Sequence, residues 1–301
     1  MSLPLPDGVT SRPLRREDAA LVAEMLEEHE RGLGLDPQIG ETDVLAWWIR
    51  TNLDEDSWLL EEDGRPVAAG WMEVHDGVAF GGSGVRPGST GRGLGTWLVT
   101  AQEERAWKLG ATRLHQHTMA VNTDAGSLMR SRGFREARRH YEMVIELDAE
   151  PPAPELPEGL AVDAFREEDA REFHDAIAEA FADEWGFVSM PFEDWWAMRK
   201  DDDTRLWFVI RDGERIGAYA RCEAGRHGGG FVGMLGVRRD WRKRGLGRAL
   251  LLHAFRVFWG RGVTRVTLGV DSENPTGATR LYESVGMRVE SESVTFEKEL
   301  T

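Results

Sequence analysis

The sequence of 301 residues has almost no cysteine, with Cys222 standing alone. A single cysteine excludes a disulfide framework and any zinc or iron–sulfur site built on a cysteine cluster, and it favours a reducing compartment. The chain also lacks the apolar run of about 18 residues that a membrane-spanning helix requires. Its first residues have neither the basic nor the apolar segment of a signal peptide. These absences predict a cytoplasmic, globular protein with no membrane partner.

Positive charge is also scarce. Lys and Arg number 37 against 53 Asp and Glu, which gives a net charge of −16. The field of such a chain repels polyphosphates and anionic lipids, so we expect no general nucleic-acid binding. The length suits one large domain or two ordinary ones, and either can bury a core without a structural metal. We therefore expect no metal cofactor.

The organisation of the chain follows from an internal repeat. The tetrapeptide Arg-Gly-Leu-Gly occurs at residues 92–95 and again at residues 244–247. Other landmarks recur in the same order, namely paired tryptophans, Asp-Gly turns and a glycine near each end: Trp47-Trp48 and Trp195-Trp196, Asp63-Gly64 and Asp212-Gly213, Gly133 and Gly286. A period of about 150 residues is too long for a solenoid, and it indicates a duplicated domain.

The repeat divides the chain into two domains. We predict an N-terminal domain at residues 1–149, a proline-rich linker at residues 150–158 and a C-terminal domain at residues 159–301. The hydrophobic pattern of each half predicts the order β-α-α-β-β-β-α-β-α-β-β, with a closing strand that ends near Leu147 or Leu300. This order favours an α+β fold with a mixed sheet flanked by helices over an alternating doubly wound one.

The segment at residues 235–249 of the second half carries the strongest site signal, because it passes from a strand through a short loop into a helix. Glycines at positions 245 and 247 allow close approach of a ligand, and the free N–H groups at a helix start favour an anion. Six basic residues surround one acid, Asp240, in this acidic chain: Arg238, Arg239, Arg242, Lys243, Arg244 and Arg248. This local positive charge predicts a site for a phosphorylated ligand.

Several known motifs do not fit this loop. A Walker A sequence and the nucleophile elbow Gly-x-Ser-x-Gly are absent, and Leu250 stands where the dinucleotide fingerprint needs a small residue. The pattern Arg242-x-x-Gly245-x-Gly247 instead resembles the acyl-CoA pyrophosphate loop of the GNAT N-acetyltransferases. Residues 274–287, with Asn, Ala, Leu-Tyr-Glu and Gly-Met in order, resemble that family's downstream segment. The likeness covers both halves, as in tandem chains of the mycothiol synthase type.

The resemblance implies two tandem GNAT domains, each with a mixed, mostly antiparallel sheet, and acetyl-CoA as co-substrate. In this family an acceptor amine attacks the thioester directly. The resemblance assigns these residues to cofactor binding: Leu235, Gly236, Val237, Arg242, Lys243, Arg244, Gly245, Leu246, Gly247, Arg248 and Asn274. Tyr282 matches the catalytic tyrosine that protonates the CoA thiolate, and a phenol with a pKa of about 10 keeps its proton at neutral pH.

The two halves are not equivalent in this comparison. Thr90 stands at the position of Arg242, and Met129 at that of Tyr282, so the first domain is predicted to be catalytically silent. Asn122 still matches Asn274, which leaves a second CoA in the N-terminal domain open.

The sequence leaves the acceptor and the general base open, because residues 231–237 contain no carboxylate. Residues 183–185 (Asp-Glu-Trp) are interpreted either as a cation-binding cluster or as acids near a helix start. The leading hypothesis is transfer of acetyl to a primary amine of a small molecule. The alternatives are mycothiol-synthase-like acetylation of a cysteinyl pseudo-disaccharide and a non-catalytic acyl-CoA sensor.

Overall fold

The computed structural model describes residues 3–37, 39–185, 187, 189–199, 202–226, 228–274 and 276–300. The first half contains β1 (Val9–Arg12), α1 (Ala19–Gly32), α2 (Glu41–Trp47), α3 (Leu53–Asp56), β2 (Ser57–Glu62), β3 (Arg65–His75), β4 (Val78–Val85), α4 (Leu94–Lys108), β5 (Arg113–Met119), α5 (Thr123–Ser131) and β6 (Arg135–Glu146). The second half contains β7 (Val162–Ala164), α6 (Ala170–Phe181), α7 (Phe192–Ala197), β8 (Trp207–Asp212), β9 (Arg215–Arg226), β10 (Gly229–Val237), α8 (Leu246–Gly260), β11 (Arg265–Asp271), α9 (Ala278–Ser284) and β12 (Arg288–Glu299). Within these ranges, no helix has the length and apolarity needed to cross a membrane.

The chain forms two compact units, each with a mixed sheet. The strand order is β1-β2-β3-β4-β5-β12 in unit 1 and β7-β8-β9-β10-β11-β6 in unit 2. In each sheet one pair of neighbours is parallel, β4 with β5 and β10 with β11, and the other neighbours are antiparallel. The predicted α+β fold with a mostly antiparallel sheet in each repeat is confirmed.

The closing strands lie in a different place from the one the sequence predicts. Unit 1 comprises Met1–Arg139 and Glu292–Thr301, and unit 2 comprises His140–Ser291. In unit 1, β12 pairs with β5 from Ser293↔Met119 onward. In unit 2, β6 pairs with β11 from Asp271↔His140 onward. Each closing strand therefore completes the sheet of the other half, because a local pattern predicts a strand without specifying its partner.

The predicted linker runs along unit 2. Residues 150–157 form neither helix nor strand. The Arg256 guanidinium donates a hydrogen bond to the carbonyl oxygen of Pro151 at 2.6 Å. This contact fastens the start of the linker to helix α8 of the same unit.

Both sheets are covered by helices on two faces, because consecutive strand residues point in opposite directions. In unit 1, Leu59 packs in the cluster that contains α1, and Leu60 packs in the cluster that contains α4. In unit 2, Val209 packs with Phe173 of α6, and Phe208 lies in the core of α8. Burying each such side chain contributes about 1.5–3 kcal/mol. The helices α4 and α8 are thereby held beside the parallel strand pairs.

Candidate active site

An opening forms in unit 2 where the parallel strands β10 and β11 separate. They are paired only at Gly230↔Val266 and Phe231↔Thr267. Strand β10 nevertheless stays paired with β9 on its other edge as far as Val237↔Ala218. The edge of β10 beyond Phe231 therefore faces a gap, and its backbone groups on that side are available to a ligand.

A β-bulge at Gly233 distorts β10 beside this opening. The register with β9 shifts between Val232 and Met234, which leaves Gly233 without a partner. A Cβ at this position would lie 2.9 Å from the Nη2 atom of Arg221, so a larger residue would displace the end of that side chain. Bulges re-aim the backbone and leave one residue unpaired, which suits a strand that must present N–H groups to a reacting carbonyl.

The loop after β10 ends in an uncapped helix start. Lys243 adopts a left-handed conformation with φ 62°, and Gly245 does so with φ 80° immediately before α8. Among the described residues, no side chain caps the first N–H groups of α8. These groups and the positive end of the helix dipole form a site for an anion. A Cβ added at Gly245 would have no atom within 4 Å, so the space beside the helix start is open.

The basic residues around the loop have separate roles. Arg238 pairs with Glu172, and Arg239 pairs with Asp183. Arg244 lies 4.0 Å from Asp212. Lys243 and Arg248 line the cavity, and neither has a carboxylate partner among the residues that the structure describes. The positive charge available to a ligand therefore comes from these two side chains, from Arg242, whose partners are backbone carbonyls, and from the helix start.

Arg242 holds the loop in place. Its Nε donates to the Val237 carbonyl at 3.1 Å, and its Nη2 donates to the Ala180 carbonyl at 3.1 Å. These bonds connect the loop to the end of β10 and to α6. Arg242 thus positions the loop beside the cavity that it also lines.

The predicted site residues converge on one cavity of about 640 Å³. Among them, the lining residues are Leu235, Gly236, Val237, Arg242, Lys243, Gly245, Leu246, Gly247, Arg248, Asn274 and Tyr282. Arg244 does not line the cavity, because its side chain extends toward Asp212. Two segments that are distant in sequence thus contribute to the lining of one cavity.

Tyr282 lies on α9 with only 7% of its surface exposed. Burial raises the pKa of its hydroxyl, and the negative charge of Glu184 raises it further. The phenol is therefore fully protonated at neutral pH, which is the state required of a proton donor. Its place in the cavity wall is consistent with the role that the resemblance implies.

Glu184 also lines this cavity, and the sequence did not predict its position there. It follows α6, lines the same cavity as Tyr282 and accepts a hydrogen bond from Asn274 Nδ2 at 2.7 Å. Burial raises the pKa of its carboxyl, and Asp271 and Asp183 raise it further. In the sequence, residues 183–185 are recognisable only as an acidic cluster. Only the fold shows that Glu184 faces the predicted phosphate loop.

Unit 1 differs from unit 2 at the corresponding positions. Strand β4 pairs with β3 without a bulge, from Ala68↔Val85 to His75↔Val78. Thr90 donates only a local hydrogen bond, to the Pro87 carbonyl at 3.0 Å. Met129 is buried in the core instead of facing a cavity. The sequence-based contrast between the two halves thus has a structural counterpart.

The family is established by comparison with known proteins. The model of the acetyltransferase (GNAT) family matches residues 22–134 and 163–287, which together make up most of the chain. The chain belongs to the GNAT acetyltransferase family, with two tandem copies of the domain. It is an N-acetyltransferase, and acetyl-CoA is the co-substrate of this family.

The relatives agree with the tandem arrangement. The mycothiol acetyltransferase of Thermobispora bispora is 33% identical over 256 residues, covering 78% of this chain and 85% of the relative. A GCN5-related N-acetyltransferase from Sphaerobacter thermophilus has a TM-score of 0.85 and 32% identity, covering 99% of this chain and 97% of that chain. A tandem GNAT protein from the clavulanic acid biosynthesis pathway has a TM-score of 0.73 at 18% identity, covering 97% of this chain and 99% of that chain, and shares the fold.

Proposed function

We propose that unit 2 transfers an acetyl group from acetyl-CoA to a primary amine of a small molecule. One observation carries this proposal: a single cavity joins an uncapped helix start, a bulged strand and a protonated tyrosine. These are the parts needed to bind a phosphorylated carrier, to stabilise a developing oxyanion and to protonate a leaving thiolate.

Binding of acetyl-CoA would use the loop and the open strand edge. The N–H groups at the start of α8, with Lys243 and Arg248, would hold the pyrophosphate. The edge of β10 at residues 232–237 would pair with the amides of the pantetheine arm. An added Cβ at Gly247 would lie 3.0 Å from Leu281 Cδ2, so the glycine allows α8 and α9 to pack closely beside this site.

Two side chains would carry the protons of the reaction. The C–N bond forms as the acceptor nitrogen attacks the thioester carbon, and the C–S bond breaks. Glu184 accepts the proton that the amine loses, and Tyr282 gives its proton to the departing sulfur. The raised pKa of Glu184 brings this base closer to the working pH, which makes proton transfer more effective.

The cavity favours an acceptor with a free amine. Asp183, Glu184 and Asp271 all contribute to its lining, so a cationic ammonium is attracted before it loses its proton. The name of the Thermobispora bispora relative supports a more specific candidate, a mycothiol-type acceptor with a cysteinyl amine. The acidic lining fits both candidates.

Unit 1 is proposed to be catalytically silent. No tyrosine replaces Met129, and β4 has no bulge to present an unpaired residue. The two basic residues of its glycine loop both form ion pairs with carboxylates. Arg86 pairs with Glu28 at 2.6 Å, and Arg92 pairs with Glu62 at 2.8 Å. These pairs do not support a second CoA in this unit.

Calorimetric titration with acetyl-CoA, followed by a thiol-release assay over a panel of amines, tests the function. The panel includes a cysteinyl pseudo-disaccharide, simple primary amines and an N-acetylated control. We expect tight binding of acetyl-CoA and turnover with at least one free amine but not with its N-acetylated form. Binding without turnover on any amine would overturn the proposal in favour of an acyl-CoA sensor.

A further inference from the structure

A second cavity, of about 440 Å³, lies in unit 1 and has no part in the proposed acetyl transfer. It is bounded by helices α1 and α2 and by the strands β3, β4 and β5. Its volume lies within the range of small-molecule sites. The lining combines three aromatic rings, Trp47, Trp71 and Phe80, with two carboxylates, Glu30 and Glu73.

The aromatic wall of this cavity is built by the fold. The indole rings of Trp47 and Trp71 are stacked, with centroids 5.8 Å apart and an interplanar angle of 12°. Trp48 supports Trp71 from the side in an edge-on contact at 6.0 Å. A Cβ at Gly82 would lie 2.5 Å from the Trp71 ring, so the glycine allows this ring to lie across β4.

Part of this aromatic surface remains accessible to a ligand. Trp47 is 40% exposed and Phe80 is 39% exposed, which is high for side chains of this size. Exposed aromatic faces around a concave site offer a negative electrostatic surface as well as apolar contact. The cavity therefore provides the rings that recognise organic cations in other binding sites.

The charges at this cavity are negative. Glu73 is 27% exposed and lies 3.3 Å from His75. The lining residues that the structure describes include no Lys and no Arg. Of its two histidines, His29 has its pKa lowered by burial and is neutral at pH 7, and the ring of His117 lies 3.3 Å from Thr295 Oγ1. An ammonium group is attracted to this lining, and a phosphate is repelled.

The cavity is also separate from the glycine loop of unit 1. None of residues 91–95 is among the described residues that line it. In unit 2, by contrast, the cavity continues to Gly245 and Arg248. The lining in unit 1 thus has the aromatic and acidic surfaces of a small-molecule site without the anion site that a phosphorylated carrier needs.

We propose that this cavity binds a small organic cation, an ammonium group on an apolar body, held between the Trp47–Trp71 wall and the carboxylate of Glu73. The cation contacts the exposed face of Trp47, which the buried Trp71 supports by stacking, and the carboxylate compensates its charge. Binding here is independent of the acetyl transfer proposed for unit 2.

Titration of the full, ¹⁵N-labelled chain with choline, observed at the tryptophan indole N–H signals, tests this proposal. The neutral isostere 3,3-dimethyl-1-butanol has the same shape without the charge. Single Trp→Phe variants assign the Trp47 and Trp71 signals. We expect choline to shift both signals, with an affinity about five times that of the alcohol or more, since a cation–π contact contributes about 1–2 kcal/mol. Equal affinities for the two probes would overturn the proposal.

Two variants and a control locate the site. Glu73→Gln keeps the shape of the side chain and should weaken choline by about fivefold while leaving the alcohol unchanged. Trp47→Leu should weaken both probes. Trp107→Leu, at a position that is 64% exposed on α4 and outside the cavity, should change neither. If Glu73→Gln left choline binding intact, the proposed charge recognition would be wrong.

Acetyl-CoA serves as the competing ligand. We expect it to leave the Trp47 and Trp71 signals in place and to leave choline bound. If acetyl-CoA displaced choline from these two rings, the cavity would belong to a carrier site in unit 1, and the proposal would fall. Because thiol release by unit 2 is measured separately, failure here is distinguishable from failure of the proposed acetyl transfer.

Discussion

In unit 2 the strand β10 has a bulge at Gly233, whereas β4 of unit 1 follows β3 without interruption. Arg242 fastens the unit 2 loop to two backbone carbonyls, whereas Thr90 reaches only its own turn. Both units keep the parallel strands that separate and the left-handed glycine before the helix. Unit 1 thus retains the scaffold, but in its described residues β4 has no bulge, Thr90 replaces the arginine that anchors the loop, and Met129 replaces the tyrosine.

Asn274 of unit 2 and Asn122 of unit 1 occupy equivalent positions, but their side-chain amides have different hydrogen-bond partners. Asn274 donates to the carboxylate of Glu184, whereas the side chain of Asn122 contacts His29 Nε2 at 2.9 Å. A carboxylate can accept a proton from an ammonium acceptor, and burial makes it a stronger base. His29 is half-buried with a lowered pKa and adds no charge to its own cavity at neutral pH.

Dividing the chain at the linker should have the largest effect. Residues 1–149 and 159–301, expressed separately, should each fail to unfold cooperatively, because each lacks the strand that completes its sheet. Near-ultraviolet circular dichroism and thermal unfolding provide the measurement.

A matched control follows the compact units instead of the linker. Residues 1–139 joined to residues 292–301 through a short flexible connection, and residues 140–291 alone, should retain native-like spectra. Parent-like unfolding of the linker-divided halves would show that the exchanged strands are dispensable.

The Tyr282→Phe variant should have the next largest effect. It keeps the ring packing and removes only the proton donor, so kcat should fall by ~10²–10⁴ while acetyl-CoA affinity is nearly unchanged. Steady-state CoA release is the measurement. Met129→Leu at the equivalent position of unit 1 is the control and should be silent. A Tyr282→Phe enzyme within a factor of ~3 of the parent would remove this residue from the chemistry.

The Glu184→Gln variant tests whether this carboxylate acts as the base in unit 2, and His29 of unit 1 provides the control position. The loss in kcat should be about 10²-fold at high pH and should shrink as pH falls, because the parent base becomes protonated below its raised pKa. The ratio of parent to variant rates against pH is the measurement. His29→Gln is the control in unit 1. A ratio independent of pH would contradict the role as base.

The Glu184→Gln variant should also change how the stability of the protein depends on pH. Since the pKa of Glu184 is raised on folding, the parent loses stability as pH rises from about 4.3 through the folded pKa. Glu184→Gln lacks this loss, so its melting temperature relative to the parent should increase between pH 4 and pH 7. A relative melting temperature that stays flat or falls would mean that the carboxyl does not titrate as inferred.

A smaller effect is expected from matched glycine substitutions. Gly245 and Gly93 have φ values of 80° and 83°, and neither has an atom within 4 Å of an added Cβ. Gly245→Glu and Gly93→Glu therefore carry equal backbone strain. Only Gly245→Glu should weaken acetyl-CoA, by about 10–100-fold, because its carboxylate enters the anion site. Calorimetry that showed the larger loss for Gly93→Glu would reverse the assignment of the two units.

Local signals in the sequence predicted much of the fold and the site. The Asp63-Gly64 turn, with φ values of 49° and 71°, and the helix start at Gly245 follow from residue types and spacing. The resemblance supplied the proposed role of Tyr282. The bulge at Gly233, the bonds of Arg242 and the cavity position of Glu184 depend on contacts between distant segments, so no local pattern could predict them. The exchange of the closing strands is non-local for the same reason.

The exchanged strand β12 also affects how the protein is made. Arg113 and Glu297 form an ion pair across a separation of 184 residues, so unit 1 needs a strand that the ribosome adds only after unit 2. At about 5–20 residues per second, β5 would wait roughly 10–35 s with one edge unpaired. A chain that stops shortly before β12 would leave the sheet of unit 1 without its closing strand. The β5 edge therefore remains unpaired until β12 follows unit 2 out of the ribosome.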